Sequence, residues 1–173
     1  MKLMEESIEE ATNDLCAWIV KVEPGQARPL LERMSKRADG ETRDVLIANA
    51  DMVFGMDHLR SALYHAKKAM VEGANASDSL VMETLLYTSG ERQLSTAIRK
   101  MSVGDETTDI IVAVLQGRVD PMEGWLELPD VPAHSSRERL KRFGITEEEL
   151  CTFEGRLEEL VLERVAAVDV LKK

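Results

Sequence analysis

The sequence predicts a single domain of the α/β (α+β) class, with a small mixed sheet covered by several helices. Three observations lead to this prediction. The chain has 173 residues, of which 44% are hydrophobic and 31% charged, a size and composition typical of one globular domain. Short apolar runs rich in β-formers alternate with longer segments in which apolar residues recur every three to four positions. Aromatic residues make up only 4%, so we expect a core of aliphatic side chains and methionine.

The chain begins with two predicted strands separated by a helix. Residues 1–14 are polar and acidic, and we expect an N-terminal tail or short helix ahead of the single domain, which covers 15–173. The segment 15–22 (LCAWIVKV) is nearly all apolar and predicts a strand that ends at a Pro-Gly pair. A helix over 26–38 comes next, and the apolar run 44–51 (DVLIANAD) predicts a second strand.

Three helices are predicted after the second strand. The first covers 56–71, with its apolar residues in one stripe and Gly73 just past its end, where a left-handed conformation suits glycine. The second begins near Ser77, a good N-cap residue, and ends before Gly90. The third covers 91–102 and carries apolar residues on one side and polar residues on the other.

A third strand and an irregular segment follow these helices. The run 109–115 (DIIVAVL) predicts a buried strand. Proline and glycine interrupt 117–136, in which 125–128 is the one candidate for a further short strand. Residues 138–143 predict a helical turn ended by a glycine.

The last helix begins at a capping box, Thr146-x-x-Glu149, and extends to about Leu171, with a break predicted near 153–155. Beyond this break its apolar residues occupy more than one side. Such a helix is either buried in the core of its own domain or shared with a partner, and both alternatives stay open. If it is shared, the predicted contact residues are Val161, Val165, Val168 and Leu171.

Charge is unevenly distributed along the chain. The formal net charge is −10, and a chain this acidic repels nucleic acid and anionic membranes on average. The segment 58–104 is different, since it holds six basic and four acidic residues and carries +2 against −12 for the rest. Either this block reflects chance composition, or it forms a locally basic binding surface.

Motifs of common enzymes and metal proteins are missing from the sequence. It contains no glycine-rich phosphate loop, no CxxC and no HExxH, and its three histidines lack the clustering of metal ligands. Cys16 and Cys151 are far apart in apolar contexts, which fits reduced, buried thiols. We therefore expect no catalytic residue, no metal and no cofactor. An acidic N-terminus without an apolar core and the lack of a long apolar run lead us to expect a cytoplasmic protein without a membrane partner.

The stretch 89–94 (SGERQL) joins two predicted helices through one glycine. The start of the following helix favours anions, Arg92 can bind a phosphate bidentately, and Gln93 can meet a base edge. Alternatively, Gly90 only ends a helix and the charged residues form surface ion pairs. One basic patch is predicted if the first and third of the three helices pack side by side. Its members are then Lys67, Lys68, Arg92 and Arg99.

Several elements between residues 44 and 104 form a recognisable pattern. They are Ile47–Asp51 (IANAD), His58, Ala62, Ala66, Asn75-Ala76-Ser77, Glu83, Leu85-Leu86-Tyr87, Ser89-Gly90, Arg92-Gln93 and Ala97-Ile98. This pattern resembles the regulatory, kinase-binding (TPRKB-type) subunit family of the KEOPS/EKC complex. The most specific element is Ser-Gly-x-Arg-Gln after a Leu-Leu-Tyr helix, and 160–173 are similar more weakly.

The resemblance implies a single α/β domain without catalytic activity or a small-molecule substrate, whose partner is the small atypical kinase/ATPase subunit of KEOPS. That complex attaches threonylcarbamoyl to the adenosine beside the anticodon of certain tRNAs. In its archaeal type, this subunit is implied to bind tRNA, including the single-stranded 3′ CCA end. Carried over to this chain, the expected RNA-binding residues are Arg92, Gln93, Lys67, Lys68, Asn75, Ser89 and Arg99. The alternative function is a pure protein-interaction regulator of the kinase without RNA contact.

Overall fold

Four strands form one sheet at the centre of the computed structural model. They are β1 (Cys16–Lys21), β2 (Val45–Asn49), β3 (Asp109–Val114) and β4 (Leu126–Glu127), in the order β2-β3-β1-β4. The structure describes residues 8, 10, 12–35, 44–117, 119–130 and 135–172. The predicted fold class is confirmed, but every strand pairing is antiparallel, so the sheet is not mixed as predicted. Apolar patterning reveals that a strand is buried and carries no information on the direction of its neighbours.

Seven α-helices with defined bounds pack around this sheet. They are α1 (Ala27–Ser35), α2 (Met56–Glu72), α3 (Leu80–Ser89), α4 (Leu94–Met101), α5 (Arg137–Phe143), α6 (Glu147–Thr152) and α7 (Leu157–Leu171). A single 3₁₀ turn, Ala50–Met52, follows β2. Within the described ranges, no helix combines the length and the apolarity needed to cross a bilayer. Residues 36–38, the end of the helix predicted over 26–38, lie outside the described residues.

The central strand β3 is buried on both faces. Ile111 pairs with Ile19 of β1 and with Ala48 of β2, and its face of the sheet packs against α2 and α3. Val112 lies on the opposite face, where Leu30 of α1 covers it. A strand covered on both faces has no polar side, which explains the unbroken apolar run in its sequence.

The helix α3 begins later than its sequence pattern predicts. Its N-cap is Ser79, whose hydroxyl accepts a hydrogen bond from the Met82 N–H at 3.4 Å. Ser77, the predicted cap, lies in the preceding loop, where its backbone N–H donates to Glu83 Oε2 at 3.0 Å. Two serines at this spacing offer equivalent capping signals, and the loop geometry selects the second.

The helix α4 also begins late, at Leu94 instead of at Glu91. Gly90 ends α3 in the left-handed conformation, with φ of 67°. The next N–H, that of Glu91, donates to Ser89 Oγ at 3.1 Å. Residues 91–93 therefore form a short bend between α3 and α4.

The C-terminal region follows its sequence signals closely. The capping box is present, since the Thr146 N–H donates to Glu149 Oε2 at 2.7 Å and the Glu149 N–H donates back to Thr146 Oγ1 at 3.3 Å. The predicted break separates α6 from α7. The N-terminal tail is described only in part, and its Ile8 and Thr12 side chains are buried.

The helices α2, α3 and α7 pack against one another, and α3 also packs against α4. Small side chains of α2, those of Ala62, Ala66 and Ala69, face the neighbouring helices and permit close packing. Val165 and Val168 of α7 fill this interface. One face of the C-terminal helix is therefore buried in the core of its own domain.

Candidate functional site

His58 anchors the junction between the start of α2 and the end of α3. Its Nδ1 accepts a hydrogen bond from the Phe54 N–H at 3.0 Å, and its Nε2 lies 2.9 Å from the Thr88 carbonyl oxygen. Because Nδ1 accepts, Nε2 carries the proton of the neutral ring and donates to Thr88. Burial lowers the pKa of His58 to about 3. The histidine in the recognised pattern is therefore a neutral structural residue that holds the end of α3 in place.

The Ser-Gly corner at the end of α3 is packed rather than open. The Ser89 side chain is fully buried, and its hydroxyl donates to the Leu86 carbonyl at 2.7 Å. A Cβ on Gly90 would lie 3.1 Å from Cβ of Arg164, so α7 approaches the corner closely. Ser89 was predicted to contact RNA, and this prediction is wrong because its hydroxyl is enclosed within the fold.

Lys100 closes the corner from the side of α4. Its ammonium group donates to the Ser89 carbonyl at 2.6 Å and to Glu91 Oε1 at 3.0 Å, and it lies 4.0 Å from the centre of the Phe143 ring. Burial lowers the pKa of Lys100, while the hydrogen bond to Glu91 opposes that shift. This lysine therefore serves the structure of the corner and presents little charge to solvent.

Three of the predicted RNA-binding residues are exposed, two of them just before α4 and one in its last turn. They are Arg92, Gln93 and Arg99. Gln93 is the N-cap residue, but its side chain makes no capping hydrogen bond. Within the ranges that the structure describes, neither arginine has an ion-pair partner. These side chains can meet an anionic partner without first breaking a contact.

Lys67 and Lys68 lie on α2 and line different depressions. Lys67 lines a groove of about 540 Å³ together with Asp44 and Ser79. Burial lowers the pKa of Lys67, and the nearby carboxylates of Asp14 and Asp44 oppose that shift. Each lysine is thus flanked by acidic groups, because the depression lined by Lys68 also holds Glu72 and Asp169.

A single basic patch was predicted on the condition that the first and third helices pack side by side, and that condition is not met. The groove of Lys67 is lined by Ser79 and Leu80 at the start of α3, whereas Arg92 follows the end of α3. The ten residues of α3 separate the two sites, a distance of about 15 Å along the helix axis. The predicted side-by-side packing of the first and third helices fails because α3 packs against both of them.

Asn75 shapes the loop between α2 and α3. Its amide group donates to the Ser77 carbonyl at 3.1 Å and to Asp78 Oδ1 at 3.3 Å. These bonds occupy the amide donors within the loop itself. A role in RNA binding for Asn75 stays a prediction.

The sequence model of a known protein family matches most of this chain. The family model described as Kinase binding protein CGI-121 matches residues 25–169. The chain belongs to this family. The match begins just ahead of α1 and ends within α7, so it includes the corner at 89–94 and most of the helix layer. The resemblance inferred from the sequence is confirmed, while no curated protein matches the chain in a sequence comparison.

The C-terminal helix of this CGI-121 family member divides into a buried and an exposed face. Val161, Val165 and Val168 are each 0% exposed. These three valines fill the chain's own core, so their side chains cannot touch a partner directly as predicted. Leu171, the fourth predicted contact residue, is 49% exposed, and its neighbour Val170 is 71% exposed.

A buried polar cluster of this family member links α2, α3 and the end of α7. Tyr87 donates to Asp169 Oδ1, and His65 Nδ1 lies 2.7 Å from Asp169 Oδ2. Burial raises the pKa of Tyr87, and the hydrogen bond to Asp169 raises it further. Lys172 bonds to Glu83 and lies 4.4 Å from the centre of the Tyr87 ring.

The sequence pattern did not predict this cluster. Its one local signal is Glu83, an acidic residue in an otherwise apolar helical segment. A lone buried carboxylate requires hydrogen bonds and a counter-charge, but its partner Lys172 is 89 positions away. Only the packing of α7 on α3 identifies that partner.

The two cysteines of this family member differ in exposure. Cys16 is half-buried, and Cys151 is exposed instead of buried as predicted, because α6 lies at the surface. Among the described residues, no three His, Cys, Asp or Glu side chains converge as metal ligands.

Proposed function

We propose that this chain is a non-catalytic subunit of a KEOPS-type complex and binds the small atypical kinase subunit through the outer face of α7. The family match over 25–169 carries this proposal, since the family is one of kinase binding proteins. The finer assignment to KEOPS rests on the Ser-Gly-x-Arg-Gln pattern at 89–93. The complex would act in tRNA modification, with the chain as a regulator of the kinase.

The outer face of α7 has the character of a protein-binding ridge. Leu162, Ala166 and Val170 recur every four residues, so they lie one above another on one side of the helix. Leu162 is half-buried, and the other two are exposed. Glu159 and Glu163 flank the ridge and are exposed. An apolar strip with a charged margin matches the usual anatomy of a protein interface.

The kinase surface is tested by adding a charge at two exposed valines. Val170→Asp places a carboxylate on the ridge, and we expect kinase affinity to fall by about tenfold or more with an unchanged melting temperature. Val71→Asp is the matched control, because Val71 is 56% exposed at the end of α2 and lies off the ridge. Isothermal titration with the purified kinase measures both variants. Unchanged affinity for Val170→Asp, or an equal loss for Val71→Asp, contradicts this surface.

A second function, capture of the tRNA 3′ CCA end, is supported by Arg92 and Arg99, which are exposed and have no ion-pair partner among the described residues. Guanidinium groups bind phosphates bidentately, and Gln93 between them offers hydrogen bonds to a base. Because Lys67 and Lys68 lie apart from Arg92, the expected RNA contact is limited to the surface of Arg92, Gln93 and Arg99. Lys67 and Lys68 would then contribute only as separate sites.

The RNA proposal is tested with the double variant Arg92→Glu and Arg99→Glu. We expect weaker binding of a tRNA acceptor stem, and a salt dependence shallower by about one unit for each lost phosphate contact. Arg28→Glu is the control, since Arg28 is exposed on α1, which covers the opposite face of the sheet. Equal losses in both variants, or equal wild-type affinity for a stem that lacks CCA, favour the pure kinase regulator without RNA contact.

A further inference from the structure

The loop between α2 and α3 is held by one buried carboxylate. Glu83 is 0% exposed, and its Oε2 accepts hydrogen bonds from the N–H groups of Ala76 at 2.9 Å and Ser77 at 3.0 Å. Both donors belong to the loop 73–79, which precedes α3. The position of this loop therefore depends on keeping the Glu83 side chain in place.

The counter-charge of Glu83 comes from the opposite end of the chain. Lys172 bonds to Glu83 Oε1, and its side chain is only 7% exposed. It is the C-cap residue of α7. Within the described part of the chain, it is the only cation in an ion pair with Glu83. A buried carboxylate that loses its cation is strongly disfavoured, so the end of α7 and the loop cannot change independently.

The last turn of α7 is held by further polar contacts and yet is exposed on its outer side. Asp169 binds Tyr87 and His65 on the inner side. Val170 and Leu171 face outward and are 71% and 49% exposed. The same helical turn thus makes polar contacts on its inner side and exposes apolar side chains on its outer side.

We propose that this turn is a conformational clasp through which a partner seated on Val170 and Leu171 controls the loop 73–79. The partner holds the turn in place, Lys172 stays on Glu83, and Glu83 keeps the Ala76 and Ser77 N–H groups bonded. Release of the turn leaves Glu83 without its cation and opens the loop while the sheet stays folded. The identity of the partner as the kinase rests on the proposed function, whereas the clasp itself does not.

The clasp is tested in the isolated full-length chain by amide hydrogen exchange of Lys172→Met. Methionine keeps most of the side-chain volume and removes the charge. We expect the Ala76 and Ser77 amides to exchange about tenfold faster or more, while Ile111 and Val112 in β3 keep their rates. Equal acceleration at all four amides shows a purely global loss of stability and overturns the clasp. Unchanged rates at the loop overturn it as well.

The double variant Glu83→Gln with Lys172→Met isolates the charge. The neutral glutamine side chain needs no cation, and its carbonyl oxygen still accepts the loop N–H groups. We expect protection at Ala76 and Ser77 to return to within about threefold of the wild-type value. If the double variant exchanges as fast as the single one, the pairing of the charges does not control the loop.

The coupling to a partner is measured separately with the purified kinase. Kinase binding is expected to slow exchange at Ala76 and Ser77 of the wild-type chain and to leave the double variant unchanged. Binding without any slowing in the wild type overturns the coupling. If the kinase does not bind at all, the proposed function fails, and the exchange results on the isolated chain still decide the clasp.

Discussion

Acid should destabilise this fold through one buried histidine. His58 is 1% exposed and neutral, with Nδ1 bonded to the Phe54 N–H and Nε2 bonded to the Thr88 carbonyl. Protonation would place a second proton on Nδ1, where the Phe54 N–H already points. The charged ring would therefore lose a hydrogen bond and remain without solvation.

The size of the effect follows from the two pKa values of this side chain. Burial lowers the pKa of His58 to about 3 in the folded protein, whereas the unfolded value is about 6.5. Between these values the unfolded chain binds one more proton, so stability falls as the pH falls below 6.5. Lowering the pH from 7 to 5 should cost about 2 kcal/mol through this group alone.

The assay is urea denaturation at pH 7, 6 and 5, with the free energy of unfolding compared between variants. His58→Gln removes the titrating ring, and its amide can both accept and donate, so we expect a less stable protein with a flatter pH profile. His65→Gln, on the same helix but beside Asp169, serves as the control for the loss of one histidine. A wild-type profile as flat as that of His58→Gln, or a His65→Gln profile equally flattened, refutes this reasoning.

Three further tests of the local structure use single substitutions. Gly73→Ala has open space around its Cβ and should lower the free energy of unfolding by about 1–2 kcal/mol. Gly55→Ala places a Cβ against the Asp130 carbonyl oxygen at φ of +98°, so it should lower the free energy of unfolding several times more. Equal losses in urea denaturation contradict the close approach at Gly55. Thr146→Ala removes the capping box and should lower the free energy of unfolding by about 1 kcal/mol, and an unchanged value shows that the cap is dispensable. Val165→Asp buries a charge in the core and should abolish cooperative thermal unfolding followed by circular dichroism, whereas a folded variant would show that α7 is not internal.

Local signals allowed much of the fold to be predicted. The strand β3 was predicted from its apolar run, and the start of α6 from the pair Thr146 and Glu149. The bounds of α3 and α4 were predicted less well, since the choice between Ser77 and Ser79 as cap depends on where Glu83 bonds the loop. A capping signal acts over three residues, and it cannot decide between two equivalent serines without the loop geometry.

The candidate site was only partly predictable for a similar reason. Arg92 and Arg99 were predicted to be accessible, and they are exposed. Ser89 was placed in the same surface because it belongs to the Ser-Gly-x-Arg-Gln pattern, but its hydroxyl bonds within the end of α3. Lys67 and Arg92 were expected to be neighbours only if the first and third of the three helices packed side by side. Amphipathic patterns do not specify which helices are neighbours.

By itself, the sequence determined the positions of the strands and helices, the absence of the common catalytic motifs, and the family. Tertiary packing alone decided the partners of the charged groups: Lys67 lies beside Asp44, Lys100 bonds to the Ser89 carbonyl, and Lys172 bonds to Glu83 across 89 positions. The physical reason is the sequence distance over which each interaction acts, since helix propensity and capping involve only a few neighbouring residues. The neighbours of a side chain are instead set by how whole helices pack, here through the small alanines of α2.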